Sequence, residues 1–320
     1  MPDSTRRFPT GLMSTCCVPW TAQYTLDEPV FRQSIRAALR GTPHLYVFGT
    51  AGEGYAVTAR QFEQVVRVFA DEMRQGGAEP MVGIIDLSLG TICERISLAR
   101  ELGVRLFQVS LPSWGALSTA ELHHFFEAVC GGFPDCRFLH YNLPRTKRMV
   151  TGREYGELAR RHPNLVATKN CGDSLSHIQS LIEDAPELTH FLSENGYVYG
   201  SLWGECGILV SFIMNWPRLH ELYEAGRRRD AERLVAIQRE IRVVIQTLFE
   251  TVPDNRIDGS YDKLFEKMYH PEFPLRLLPP YSGSSDDEFR AFVSLLEQRL
   301  PGWIPAFHAP GPAPAVRSNR

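Results

Sequence analysis

Lys169 closes an apolar run, LVATKN, and the residues that follow it, Asn170, Cys171 and Gly172, carry no acid. Leu165, Val166 and Ala167 read as core, so the ammonium group meets the edge of that core without an ion pair. Loss of water disfavours the charged form and lowers a lysine's pKa. A neutral amine attacks a ketone, and the protonated imine that results draws electrons from the adjacent carbon. Proton removal, or cleavage of a C–C or C–O bond beside that carbon, then becomes easier. The plain alternative is a lysine that snorkels its charge out to water.

Two further stretches could serve such an amine. Tyr141, in the run RFLHYN, could move protons on and off a carbinolamine if a second hydroxyl relayed them. Thr50 offers that hydroxyl. It stands in GTAGEG, residues 49–54. This turn lacks the Lys-Ser/Thr pair of a phosphate loop and does not match GxGxxG. Its consecutive N–H groups around Ala51 and Gly52 could still converge on a small carboxylate. Each group alone has a bland reading: a buried aromatic, a tight strand-to-helix turn. Together a nucleophile, a proton carrier and an anion cradle describe imine chemistry on a 2-keto acid.

These groups must be brought to one place, and the chain pattern says how. Short β-like runs fall at 12–18, 45–50, 81–85, 105–110, 137–142, 165–169, 190–193 and 207–211. Amphipathic helical stretches lie between them, with Thr58 and Ser118 as N-cap candidates and glycines such as Gly103 as stops. Strand–helix alternation requires right-handed crossovers and parallel strands. Eight repeats predict a closed (β/α)8 barrel, a TIM barrel, with active groups at the carboxyl ends of the strands. A doubly wound sheet fits less well, because no GxGxxG follows the first run. Helical periodicity then continues over 217–251, 258–270 and 285–299. The expected layout is an arm at 1–10, the barrel at 11–225, a helical extension at 226–300 and a flexible Pro/Ala-rich tail at 301–320.

Composition narrows the function. The 320-residue chain is 43% hydrophobic with a net charge of −3, and its basic residues are scattered. That argues against nucleic acid and anionic membranes as partners. The cluster Arg227-Arg228-Arg229 reads as a solvated helix start. No apolar run is long enough to span a bilayer, and the N-terminus lacks a signal-like apolar core. Seven cysteines, an odd number without a CxxC pair, suggest a reducing, cytoplasmic setting without disulfides. His123 and His124 are adjacent and point to different helix faces, and no HExxH occurs, so no metal is expected.

The motifs GTAGEG, YNLPRT and the strand-six Lys169 resemble those of the dihydrodipicolinate synthase / N-acetylneuraminate lyase family of class I aldolases. The similarity runs in order and spacing from about Gly11 to Ala225. It implies a barrel with a three-helix tail, a dimer or tetramer of identical chains, and a covalent imine with pyruvate or a related 2-keto acid in place of a cofactor. By position, Lys169 matches the imine-forming lysine, Tyr141 the proton-shuttling tyrosine and Thr50 the relay hydroxyl. The backbone around Thr50 and Ala51 matches the substrate carboxylate site, and Leu209 falls near a strand-eight carbonyl that lines the pocket.

Several positions depart from the family pattern. Ala51 replaces the second hydroxyl of the GTTGE-type motif, and Asn170 replaces the acid that usually follows the lysine. Trp114 aligns with a tyrosine that completes the relay across a dimer interface. Arg145 resembles the arginine that holds a second substrate carboxylate, in a segment one residue shorter. The loop LPSWGALS is closer to a Trp-bearing loop of the family's hydratase-aldolases, and a tryptophan at the mouth would suit a flat or apolar aldehyde. The reading is therefore a Schiff-base lyase or aldolase, possible subtypes being a hydratase-aldolase, a dihydrodipicolinate synthase proper or a 2-keto-3-deoxy sugar acid dehydratase. A non-catalytic barrel that binds a 2-keto acid is the alternative from another class.

Overall fold

The structure, a computed structural model, describes residues 6–172, 174–253 and 256–304. In chain order its elements are β1 (Leu12–Cys16), α1 (Glu28–Ala38), β2 (His44–Val47), α2 (Ala59–Gln75), β3 (Met81–Ile84), α3 (Leu89–Glu101), β4 (Leu106–Val109), α4 (Thr119–Phe126), β5 (Arg137–Asn142), α5 (Gly152–Arg161), β6 (Leu165–Asn170), α6 (Leu175–Asp184), β7 (Thr189–Leu192), α7 (Glu194–Trp203), β8 (Gly207–Val210) and α8 (Trp216–Arg227). Three helices follow: α9 (Ala231–Thr251), α10 (Asp258–Tyr269) and α11 (Asp286–Arg299). The eight strands are parallel and close on themselves, β1 pairing with both β2 and β8. The expected barrel is therefore observed, with every predicted strand run present.

The helix ends follow local chemistry. Thr58 and Ser118 cap α2 and α4 in capping boxes with Gln61 and Glu121, each satisfying N–H groups that the first turn leaves over. Gly103, after α3, takes φ +83°, where a side chain would be strained. One expectation fails. Residues 217–251 do not form one helical segment, because Arg228–Asp230 break it and Arg229 adopts φ +54°. The arginine cluster ends α8 rather than starting a helix. Cations suit a helix C-terminus, and Asp230 caps the next helix by accepting from Arg233 N–H.

Strand register fixes which side chains share a level inside the barrel. A barrel interior is filled by layers of four side chains from alternate strands, shifted two residues for every two strands. Lys169 pairs through Phe191 with Gly207, which sets Leu209 at its level. Leu209 leads through Met13 and His44 to Tyr46. Tyr46 leads through Met81 and Leu106 to Gln108. Gln108 leads through Leu139 and Ala167 back to Lys169. The circuit closes, so Tyr46, Gln108, Lys169 and Leu209 form one layer. The same steps put Thr15, Gly83 and Tyr141 in the layer above. Below lies an apolar fill that includes Met13, Met81, Leu139 and Ala167.

The far end of the barrel is closed by the N-terminal arm. Phe8 is buried among these residues, its ring centroid 6.0 Å from that of Phe191. Arg7 pins the arm by donating to the carbonyls of Ala159, His162 and Leu165. None of the seven cysteines forms a disulfide. Among the described residues no helix is long and apolar enough to cross a membrane, and no group of three or more His, Cys, Asp or Glu side chains could hold a metal ion. The tail expected at 301–320 lies, from residue 305, outside the described residues.

Candidate active site

Lys169 projects from the last turns of β6 into the barrel and is only 3% exposed. Strand alternation explains the neighbouring Asn170, which faces the other way and joins an amide network with Asn142 and Thr168. The Lys169 Nζ donates to the Tyr46 hydroxyl at 2.7 Å, across the barrel axis. It also stands 3.7 Å from the centre of the Tyr141 ring. Burial pushes its pKa down to about 8, against the opposing pull of Cys171, Asp258 and Asp262. The amine is therefore partly neutral near physiological pH.

Tyr141, one strand over on β5, turns its hydroxyl to Thr50 at 3.2 Å. Burial raises its pKa well above 10, so it keeps its proton. The Cys171 thiol lies 3.7 Å from the same hydroxyl. Thr50 opens the glycine turn after β2. Within that turn the Glu53 and Gly54 N–H groups donate to Thr50 and Gly49 carbonyls. Those of Ala51 and Gly52 find no acceptor among the described residues. Gly52 is glycine for a packing reason, since a Cβ there would stand 2.7 Å from the Phe48 nitrogen.

The turn is held by one of the expected C-terminal helices, at a docking place that the helical periodicity over 258–270 did not foretell. Helix α10 lies against it, and a Cβ on Gly259 would sit 3.0 Å from the Ala51 carbonyl. Lys263 reaches from α10 to Glu53 at 2.6 Å, and Glu53 also accepts from Trp20 and from the Leu278 N–H. Glu266, on the same face, accepts from Ser34 at 2.6 Å. Asp258 binds Arg145 through two contacts of 3.0 and 3.2 Å. Asp262 falls on this face as well and has no hydrogen-bond or ion-pair partner among the described residues. Burial, then Asp258, pushes its carboxyl well up, while Lys169 pulls the other way. Sequence reading missed Asp258, Asp262 and Lys263; their spacing marks one helix face but not the surface that face covers.

A cavity of about 590 Å³ opens above Thr50. Its walls include Tyr55, Leu87, Leu111, Leu143, Ile257 and Pro280, with Ser110 and Arg145 among the polar groups. Arg145 lines the cavity, but Asp258 already matches its charge. Trp114 does not reach it. The ring is 83% exposed, and only its backbone is engaged, accepting from Lys147. Ser113 lines the cavity instead, because the loop turns the tryptophan outward. Leu209 lies in the lysine's own layer, buried. A larger cleft of about 830 Å³ between α1, α2 and α3 is lined by charges that include paired ones, such as Arg32 with Glu28 and Asp71.

Fold and site together define a (β/α)8 barrel with a desolvated lysine on strand six, facing a tyrosine–threonine pair. The chain belongs to the dihydrodipicolinate synthetase family, whose model matches residues 8–258. This is a family of lyases, Schiff-base aldolases that act on pyruvate. A 4-hydroxy-tetrahydrodipicolinate synthase of Exiguobacterium sp. is 27% identical over 295 residues, which cover 90% of this chain and 97% of that protein. An N-acetylneuraminate lyase of Salmonella newport is 24% identical over 75% of this chain and 82% of its own. Among solved structures, the E. coli K12 prophage protein YagE, in complex with pyruvate, superposes with a TM-score of 0.80 at 20% identity. It covers 90% of this chain and 98% of its own, and is likewise of the dihydrodipicolinic acid synthase family.

Proposed function

We propose that the chain condenses Lys169 with pyruvate or a related 2-keto acid and makes or breaks a bond beside the resulting imine. The observation that carries this reading is the desolvated Lys169 amine set against the Tyr141 ring, whose hydroxyl meets Thr50. In this scheme the keto-acid carboxylate takes the unused N–H groups of Ala51 and Gly52. The keto carbon then lies over Nζ. Tyr141 passes protons to and from the carbinolamine through Thr50, and the protonated imine accepts the electron pair of the bond that breaks.

The cavity favours one subtype. Its largely apolar walls and the Arg145–Asp258 pair suit an uncharged, flat or apolar aldehyde half, as in a hydratase-aldolase. A second substrate carboxylate, as a synthase proper would bring, finds its arginine occupied. Self-association to a dimer or tetramer fits the exposed Trp114 ring, which a second copy could cover, and seven thiols outside any disulfide suit the cytoplasm.

The experiment is direct. The protein is incubated with pyruvate, reduced with borohydride and weighed. A pyruvate adduct located at Lys169, and lost in Lys169→Ala, supports the enzyme. An unmodified chain favours a non-catalytic binding barrel. A screen of aldehydes against pyruvate consumption then identifies the partner.

A further inference from the structure

Gln108 is the one member of the lysine's layer whose polar groups have nothing to do. It is 1% exposed, and neither its amide oxygen nor its amide nitrogen has a hydrogen-bond partner among the described residues. Buried amides are almost always satisfied, and leaving one unmade costs stability. Here the two unpaired ends sit inside the barrel, at the level of Lys169 and one inward-facing position beneath Ser110, which lines the cavity.

The layer has a polarity. Tyr46 stands opposite Lys169 across the axis and is already bonded to its Nζ. The two flanks differ: Leu209 on β8 is apolar, and Gln108 on β4 is an amide. A keto carbon bonded to Nζ carries three other substituents. Its carboxylate is drawn up to the Ala51 and Gly52 N–H groups. The carbon chain and the oxygen are left to divide the flanks, and only one flank can hydrogen-bond.

We propose that the Gln108 carboxamide receives the oxygen that the keto carbon gives up as Lys169 forms its imine. This assignment rests on the imine reading above. In the step, the Nζ lone pair forms the C–N bond and the C=O pair moves to oxygen. That oxygen takes one proton from the nitrogen and a second through Tyr141 and Thr50. The C–O bond then breaks with its electron pair on oxygen, and water departs. Amine, ketone and one proton thus give an iminium ion and water. The Gln108 N–H stabilises the negative charge that grows on the oxygen, and its carbonyl accepts from the hydroxyl and then from the water. Donors aimed at developing charge in a dry site act mainly on the rate. The same water site serves hydrolysis in reverse.

A group kept unsatisfied for a ligand predicts opposite effects on stability and rate. Gln108→Met and Gln108→Leu remove the unpaired amide and fill the layer with apolar atoms. The expected result is a Tm higher by about 2 °C or more together with borohydride-trapped adduct forming about 10–100-fold more slowly at saturating pyruvate. An unchanged adduct rate in either folded variant would overturn the assignment alone. So would a lowered Tm, or loss of folded protein in both variants, since the amide would then serve the fold. Absence of any adduct in the unsubstituted protein would overturn the imine reading and this assignment with it.

Discussion

Lys263 and Glu53 meet at 2.6 Å with neither side chain exposed to solvent. The pair joins α10 to the turn that carries Thr50, Ala51 and Gly52. Glu53 holds φ +60° there and spends its second oxygen on the Leu278 N–H. Helix α10 is thus part of the site's scaffold.

Breaking that pair from one side leaves a buried charge alone. Lys263→Met is expected to destabilise the protein by about 3–5 kcal/mol, read from denaturant midpoints. Adding Glu53→Gln should recover part of the loss, because the orphaned carboxylate is gone. Equal stability of the single and double variants would show that the charge is not the cause.

The Lys169 pKa of about 8 sets a pH profile. Adduct formation should climb nearly tenfold per unit from about pH 6 toward 8 and level off above it, because only the neutral amine attacks. The stability sign follows from the same shift. Between about pH 8 and the ordinary lysine pKa of about 10.4 the unfolded chain binds the proton that the folded chain has lost, so this group makes stability rise with pH. Asp258→Asn removes a charge that favours the ammonium form, and the trapping profile should move to lower pH. A profile that stays in place would remove Asp258 from the lysine's electrostatic surroundings.

Tyr141→Phe deletes the hydroxyl that meets Thr50 and keeps the ring beside Nζ. Trapping should slow by about 10²–10⁴-fold, and Thr50→Val should slow it less. Wild-type kinetics in the phenylalanine variant would rule out the proton-carrying role.

Gly52→Ala places a methyl group against the Phe48 backbone, so the turn must shift. The pyruvate concentration that gives half-maximal trapping should rise by about tenfold, the scale of one lost hydrogen bond to a charged group. An unaltered concentration dependence would mean that the carboxylate sits elsewhere.

Much of this was readable in the amino-acid order. Strand runs of apolar, β-branched residues and capped helices between them give the barrel. Because the strands are parallel, Lys169, Tyr141 and Thr50 had to arrive at one end. What could not be read depends on docking. The face of α10 that carries Asp258, Asp262 and Lys263 is amphipathic, but amphipathicity does not say which surface it covers. Arg145 finds Asp258 across 113 positions of chain, a distance that no local pattern spans. Trp114 points outward because its loop turns, and a loop has no periodicity to reveal that. Gln108 in FQVS looks like one polar residue in an apolar strand until register places it beside the lysine.

Among the described residues, the arm that plugs the barrel floor leaves entry from the carboxyl ends of the strands. On the imine reading proposed above, a keto acid bonded to Lys169 in such a well is the first guest in and the last one out. Its aldehyde counterpart must come after it and leave before it, so steady-state kinetics should follow an ordered sequence with the free aldehyde as the earlier product of cleavage.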